Sequence, residues 1–134
     1  MRQVIVTVEL TDNNYAAYIE SLPGCVSTGK TFDELKSNVS DAVIFHLEGM
    51  REDGDEIPSI FLGEYRLIYS FDTQSLLQHY NGIFTNAALE RLTGINQRQL
   101  QHYASGISKP RREQAKKIES ALHALGRELL VVEL

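Results

Sequence analysis

The sequence contains few of the residues that would tie a small protein to an oxidising compartment or a membrane. Its 134 residues include one cysteine, Cys25, three prolines and no tryptophan. A single cysteine forms no internal disulfide, and we expect it to be buried because no His or Asn is spaced to activate it. No stretch approaches the roughly 20 apolar residues that span a bilayer, and the first residues lack the pattern of a signal peptide. We therefore expect a cytoplasmic protein that contacts no membrane.

The formal net charge of −5 is divided unevenly along the chain. Residues 1–72 carry 13 acidic and 5 basic side chains, whereas residues 73–134 carry 5 acidic and 8 basic ones. An acidic first half suits a basic partner, although a solvated acidic surface has the same composition. The positive second half leaves nucleic-acid binding open, which the overall charge alone would argue against.

The first half has the pattern of a sheet with one helix. Period-two alternation predicts strands over residues 4–10, 15–20, 25–28 and 65–71. Before the last strand, Thr31 and Glu34 form a capping box ahead of an apolar stripe with helical spacing, which ends before Asp53. Because that stripe must pack against something, we expect a β-β-β-α-β order in which the helix covers one face of the sheet.

The second half has the pattern of four short helices. They are predicted over residues 73–81, 85–93, 96–104 and 110–125. Pro110 suits a first helical turn, and Gly126 suits a left-handed cap that ends the last helix. The apolar residues 128–134 predict a short C-terminal strand that packs on the sheet or pairs with another subunit. The predicted fold class is α+β, with domains at residues 1–71 and 72–134.

The second and third of these helices have the spacing of a DNA-binding helix-turn-helix. Gly94 supplies the positive φ that the turn needs, and Asn96 is a good N-cap for the second helix. Four apolar residues are expected to hold the two helices together: Leu89, Ile95, Leu100 and Tyr103.

This region resembles the helix-turn-helix modules of the lambda-repressor-like group, and the resemblance extends through the final helix. It departs from the usual pattern at Glu90, where a small residue is common, and at Thr93, where Leu is common. Exposed Gln and Arg side chains read base edges, and cations at a helix start bind phosphates. The alternative to DNA binding is that the four helices form a packing module with a polar surface helix. The predicted DNA-binding residues are Gln97, Arg98, Gln99, Gln101, His102, Ser108, Lys109, Arg111 and Arg112.

Three motifs of the first half resemble the HicB antitoxin family. They are the turn Pro23-Gly24-Cys25, the segment Gly29-Lys30-Thr31 and the acidic helix start Asp33-Glu34. The resemblance covers residues 4 to about 58 and implies a partial ribonuclease-H-like domain. It also implies a function, because HicB proteins bind HicA, a small basic toxin that cleaves mRNA, and repress the operon encoding both proteins. The expected toxin contacts are acidic: Asp12, Glu20, Asp53, Asp55 and Glu56.

A ribonuclease-H-like fold also raises the question of catalysis. Two-metal chemistry needs several carboxylates that converge, and Glu9, Asp12, Glu20, Asp33 and Asp41 are available. No motif fixes such a constellation, so we expect no enzyme, no cofactor and no metal site, with a residual nuclease as the hypothesis to test.

The sequence as a whole predicts a type II antitoxin that neutralises a HicA-like toxin and binds double-stranded operator DNA. Because one helix-turn-helix makes few base contacts, we expect a homodimer or homotetramer that reads two half-sites. The alternative is a stand-alone transcriptional regulator whose first half only dimerises or senses a ligand.

Overall fold

A computed structural model describes residues 1–11 and 13–134 and divides the chain into two compact units, Met1–Asp72 and Thr73–Leu134. The first unit contains β1 (Arg2–Leu10), β2 (Tyr15–Tyr18), β3 (Val26–Gly29), α1 (Phe32–Asp53) and β4 (Tyr65–Phe71), with a short 3-10 turn at Ser59–Phe61. The second contains α2 (Thr73–His79), α3 (Asn86–Thr93), α4 (Gln97–Ser105) and α5 (Arg112–Leu129). The predicted α+β class is confirmed, as is the β-β-β-α-β order of the first unit.

The four strands form one mixed sheet in the order β3-β2-β1-β4. β1 pairs antiparallel with β2, where Leu10 lies opposite Tyr15, and parallel with β4, where Val4 lies opposite Leu67. The alternation along β1 places its three buried valines on one face of the sheet, and α1 covers that face. The helix contributes four buried side chains at intervals of four residues: Leu35, Val39, Val43 and Leu47.

The first turn of α1 lies directly against the end of β3. The hydroxyl of Thr31 accepts a hydrogen bond from the backbone N–H of Glu34 (3.1 Å), which confirms Thr31 as the N-cap. The side-chain amide of Asn38 donates to the carbonyl oxygen of Thr28 (2.8 Å) and ties the second turn to the strand. The approach is so close that a Cβ on Gly29 would lie 2.5 Å from the backbone nitrogen of Leu35.

Aromatic rings extend this helix–sheet core toward β4. Phe32, the first residue of α1, makes edge contacts with the rings of Tyr69 and Phe71, at centroid distances of 5.5 and 4.7 Å. Burial raises the pKa of Tyr69 above its ordinary value, and a hydrogen bond with Ser40 opposes part of that rise. The other face of the sheet exposes apolar side chains, among them Ile5 and Val26.

The second unit has its own core, in which helices α2 to α5 contribute to one apolar cluster. The four side chains expected to hold α3 and α4 together are all buried in it, so that prediction is confirmed. Leu77 of α2 and Ile118 of α5 complete the buried set. None of the helices in the part of the chain that the structure describes is long and apolar enough to cross a membrane.

Three predictions about the last helix are wrong. It begins at Arg112 rather than Pro110, and it continues through Gly126 to Leu129 instead of ending at a left-handed glycine cap. No strand follows, because residues 130–134 lie outside any sheet, and the backbone N–H of Leu130 bonds to the carbonyl oxygen of Gly126 (3.1 Å). Helical bonds form within the segment itself, whereas a strand needs a partner strand.

Candidate functional sites

Helices α3 and α4 are joined by a short turn with capped ends. The hydroxyl of Thr85 caps the start of α3, and Gly94 ends that helix with φ at 77°. Asn96 caps α4, because its side-chain oxygen accepts a hydrogen bond from the backbone N–H of Arg98 (2.8 Å). The predicted roles of Gly94 and Asn96 are confirmed.

Two residues that depart from the helix-turn-helix pattern make polar contacts across this turn. The carboxylate of Glu90 accepts a hydrogen bond from the backbone N–H of Gln97 at the start of α4 (2.9 Å). The hydroxyl of Thr93 donates to the carbonyl oxygen of Leu89 (2.7 Å) and accepts from the N–H of Ile95 (3.1 Å). Sequence reasoning missed both contacts, although a carboxylate seven residues before a helix start was the available signal.

These caps decide what the N-terminus of α4 offers to a ligand. Its first two amide groups already donate, one to Glu90 and the other to Asn96. These two groups are therefore not free to bind a phosphate, which weakens the anion site that a bare helix start offers. Contacts to nucleic acid through α4 have to come from its side chains.

The predicted DNA-binding residues of α4 differ in how freely they face solvent. Gln97, Arg98 and Gln101 are exposed, whereas Gln99 and His102 are half-buried. The side-chain oxygen of Gln101 accepts a hydrogen bond from the amide of Asn86 on α3 (3.0 Å), which leaves its amide nitrogen to donate elsewhere. That contact orients the side chain before any ligand arrives.

A hydrogen bond from the side-chain amide of Gln99 to the hydroxyl of Ser108 (3.2 Å) brings α4 beside the segment that precedes α5. Both residues therefore serve partly as structural links, although both were predicted to contact DNA. The bond places the turn of α4 that carries Arg98 near the segment that carries Lys109.

Four predicted cations remain available on this unit. Arg98, Lys109, Arg111 and Arg112 are exposed, and in residues 1–11 and 13–134 no ion pair engages them. Arg111 is the N-cap of α5, and no side chain caps that helix start. The first amide groups of α5 thus keep their hydrogen-bonding capacity beside three cations, which is the composition of a phosphate-binding surface.

The predicted toxin contacts lie mainly at one end of the first unit. Glu20, Asp53, Asp55 and Glu56 are exposed, and Asp12 lies outside the described residues. β3 runs away from the Glu20 end of the sheet and α1 runs back, so Asp53 and the loop that follows lie toward the same end of the unit as Glu20. The loop is anchored there by the guanidinium of Arg2, which donates to the carbonyl oxygens of Ser59 and Leu62.

Among the residues that the structure describes, the carboxylates considered for catalysis form no common metal-binding group. Glu9 points to the exposed face of the sheet, and Asp33 lies in the first turn of α1, 3.4 Å from the ammonium of Lys36. Across the described part of the chain, no three His, Cys, Asp or Glu side chains lie close enough together to hold a metal ion. Cys25 is buried, as expected, and burial raises the pKa of its thiol.

Comparisons with known proteins concern the first unit. Residues 4–65 match the family model described as HicB_like antitoxin of bacterial toxin-antitoxin system. The chain is 38% identical over 53 residues to an uncharacterized 14.9 kDa protein in the rep-hol intergenic region of Haemophilus phage HP1, and the match covers 40% of each chain.

Two shorter relatives are named as UPF0150 proteins. The one from Thermoplasma acidophilum is 28% identical over 58 residues, which cover 43% of this chain and 84% of the relative. The one from Helicobacter pylori is 35% identical over 46 residues, covering 34% of this chain and 64% of the relative.

Proposed function

We propose, from the match of residues 4–65 to the HicB-like antitoxin family and from the similar relatives, that the chain neutralises a HicA-like ribonuclease toxin and represses the operon encoding both proteins. The family match of the first unit carries the proposal. The second unit supports the repressor part through the exposed cations Arg98, Lys109, Arg111 and Arg112, which form no ion pair among the residues that the structure describes. This function is non-enzymatic and belongs in the cytoplasm, where both mRNA and operator DNA are found.

The charge of the first unit supports the antitoxin role. A ribonuclease that cleaves mRNA must attract phosphates, so its active surface is basic. Residues 1–72 carry eight more acidic than basic side chains and attract the same surface. Electrostatic attraction of this kind speeds association and orients the two proteins before they touch.

The second unit supports operator binding through α3 and α4, which we propose to act as a helix-turn-helix. α4 is the element that presents Gln97, Arg98 and Gln101 to solvent, and these side-chain types hydrogen-bond to base edges in the major groove. The cations at the start of α5 then bind the flanking phosphates and fix the position of α4.

Two copies of the chain are needed to read an operator with two half-sites. Apolar side chains at the end of the chain support such pairing, because Leu129, Leu130, Val131 and Val132 are all more than half exposed. Exposed apolar runs of this kind are typical of surfaces that pair with another protein. We propose that this segment joins two copies, which gives the even-numbered assembly.

The antitoxin role is tested first by whether an open reading frame for a small basic protein adjoins this chain's gene. The purified chain is expected to form a stable complex with that protein and to stop its cleavage of RNA at equimolar concentration. A toxin that cleaves at the same rate with excess chain contradicts the antitoxin role. DNA binding without any toxin partner would instead favour the stand-alone regulator.

The DNA role is tested by comparing two cations on the DNA region that precedes the operon. Arg98→Ala is expected to cost about 1–3 kcal/mol and to relax specificity at one base position, whereas Lys109→Ala weakens all sequences alike and lowers the salt slope by about 1. Lys116→Ala is the control, because Lys116 is paired with Glu119 (2.8 Å) on α5. Unchanged binding of the first two variants removes this surface from the interface.

A further inference from the structure

The solvent face of α1 carries an unusual set of side chains. Five exposed residues follow one another at intervals of seven, four, three and four, so they lie along one line of the helix. This line, the outer stripe of α1, faces away from the four buried side chains of the same helix. Its members are Glu34, Asp41, Phe45, Glu48 and Glu52.

Phe45 is the feature of the outer stripe that the fold does not explain. Its side chain is 79% exposed, and its neighbour Ile44 is 55% exposed. The four buried side chains of α1 that pack against the sheet lie on the opposite side of the helix, so neither Ile44 nor Phe45 contributes to that packing. A large aromatic side chain surrounded by charged ones is the composition of an interface anchor.

The carboxylates of the stripe also work against the stability of the helix. Glu48 and Glu52 are one turn apart and repel each other. Glu52 and Asp53 lie in the last turn of α1, where the helix dipole disfavours negative charge. Arg51 is the basic residue of that turn. An arrangement that breaks local stability rules is expected at a functional surface.

We propose that the outer stripe of α1 is the surface that binds the toxin, with Phe45 inserted into an apolar pocket between cationic side chains. The inference rests on the proposed antitoxin function and names the surface that performs it. The stripe contains four carboxylates and no cation, so the same stripe of a second copy, a nucleic acid or an anionic lipid surface would be repelled. A basic protein with an apolar pocket would complement the negative charge of the stripe and bury the ring of Phe45.

The stripe differs from the acidic loop after α1 in one decisive way. Residues 53–58 carry three carboxylates but no aromatic residue. They add negative charge near the end of α1 and thus attract a basic partner at long range. We place them outside the contact itself, where screening by salt leaves a charge with less effect on association than the stripe carboxylates have.

The first experiment measures the affinity of the full chain for the purified basic protein encoded beside it, by calorimetry. Phe45→Ala is expected to raise Kd by about 30-fold or more, as for an interface hot spot. Val26→Ala is the matched control, because Val26 is 68% exposed on the sheet face away from α1. Thermal unfolding checks that both variants are as stable as the parent chain. We expect this result because both side chains are exposed.

The second experiment reverses two charges on the stripe or on the loop. Glu48→Lys with Glu52→Lys is expected to slow association by about tenfold or more at low salt, and less at high salt. Asp55→Lys with Glu56→Lys changes the net charge equally but is expected to slow association by less than about threefold.

The outcomes separate this inference from the function on which it rests. A parent chain that does not bind the basic protein overturns both. If the parent chain binds and the Kd of the Phe45→Ala variant stays within about threefold of the parent value, the antitoxin function is retained, but the assignment of the stripe as the toxin-binding surface is overturned. Loop reversal that slows association more than stripe reversal also overturns it and moves the interface to residues 53–58.

Discussion

The contact between β3 and α1 predicts a large effect from adding one methyl group. The backbone at Gly29 is outside the left-handed region, so alanine tolerates its conformation and Gly29→Ala tests packing alone. The added Cβ would lie 2.5 Å from the nitrogen and 2.8 Å from the Cα of Leu35. Both atoms belong to the backbone, so no side-chain rotation relieves the contact and the start of α1 must move away from β3.

The magnitude follows from the cost of overpacking. An extra methylene in a packed core usually costs about 1–3 kcal/mol, and a clash with backbone belongs at the upper end, so we expect about 3 kcal/mol. For a unit of this size that loss lowers the midpoint of thermal unfolding by about 10 °C or more. Gly49→Ala is the control, since nothing lies within 4 Å of its added Cβ. Alanine in that helical position should stabilise α1 by about 0.5–1 kcal/mol.

The free energy of unfolding is measured by urea titration with far-UV circular dichroism. Hydrogen exchange with mass spectrometry assigns the loss, which we expect in peptides of the first unit while those of the second stay protected. If Gly29→Ala changes the free energy by less than about 0.5 kcal/mol, the close approach of α1 to β3 is not a constraint on the fold.

Three further outcomes follow from single contacts. Glu90→Ala removes the carboxylate that receives the N–H of Gln97 and should destabilise the second unit by about 1 kcal/mol in thermal unfolding; no change would mean the contact is not a cap. Because burial raises the pKa of the Cys25 thiol, less thiolate exists at pH 8, and a disulfide reagent should label the folded chain about tenfold or more slowly than the urea-unfolded chain. Leu130→Ser with Val132→Ser should shift the solution mass of the chain from dimer to monomer, and an unchanged mass would place the dimer contact elsewhere.

Much of the fold could be predicted because its signals are local. The N-caps at Thr31 and Asn96 and the left-handed Gly94 depend on bonds between residues two to four apart, so residue type at one position is sufficient evidence. A local signal was insufficient at Gly126. This glycine is suitably placed for a helix cap, but it lies inside α5. Helix packing through Ile118 and Leu122 outweighs that single residue.

The candidate sites were less predictable because side-chain roles depend on distant neighbours. Gln101 and Gln99 have the residue types that read bases, yet one is bound to Asn86 and the other to Ser108. Phe45 carries no sequence motif, and only its exposed position on α1 distinguishes it from the aromatic residues of the core.

The sequence by itself determined the α+β class, the order of the first five elements and many of the residues that enter both cores, because alternation and helical spacing assign each side chain to a face. Only the tertiary structure decided that β1 lies parallel to β4, that α1 presses against Gly29 and that Glu90 caps α4. These contacts join residues that are far apart in the chain or that meet only when a turn is packed. Their geometry is set by how whole elements fit together, and no local pattern carries it.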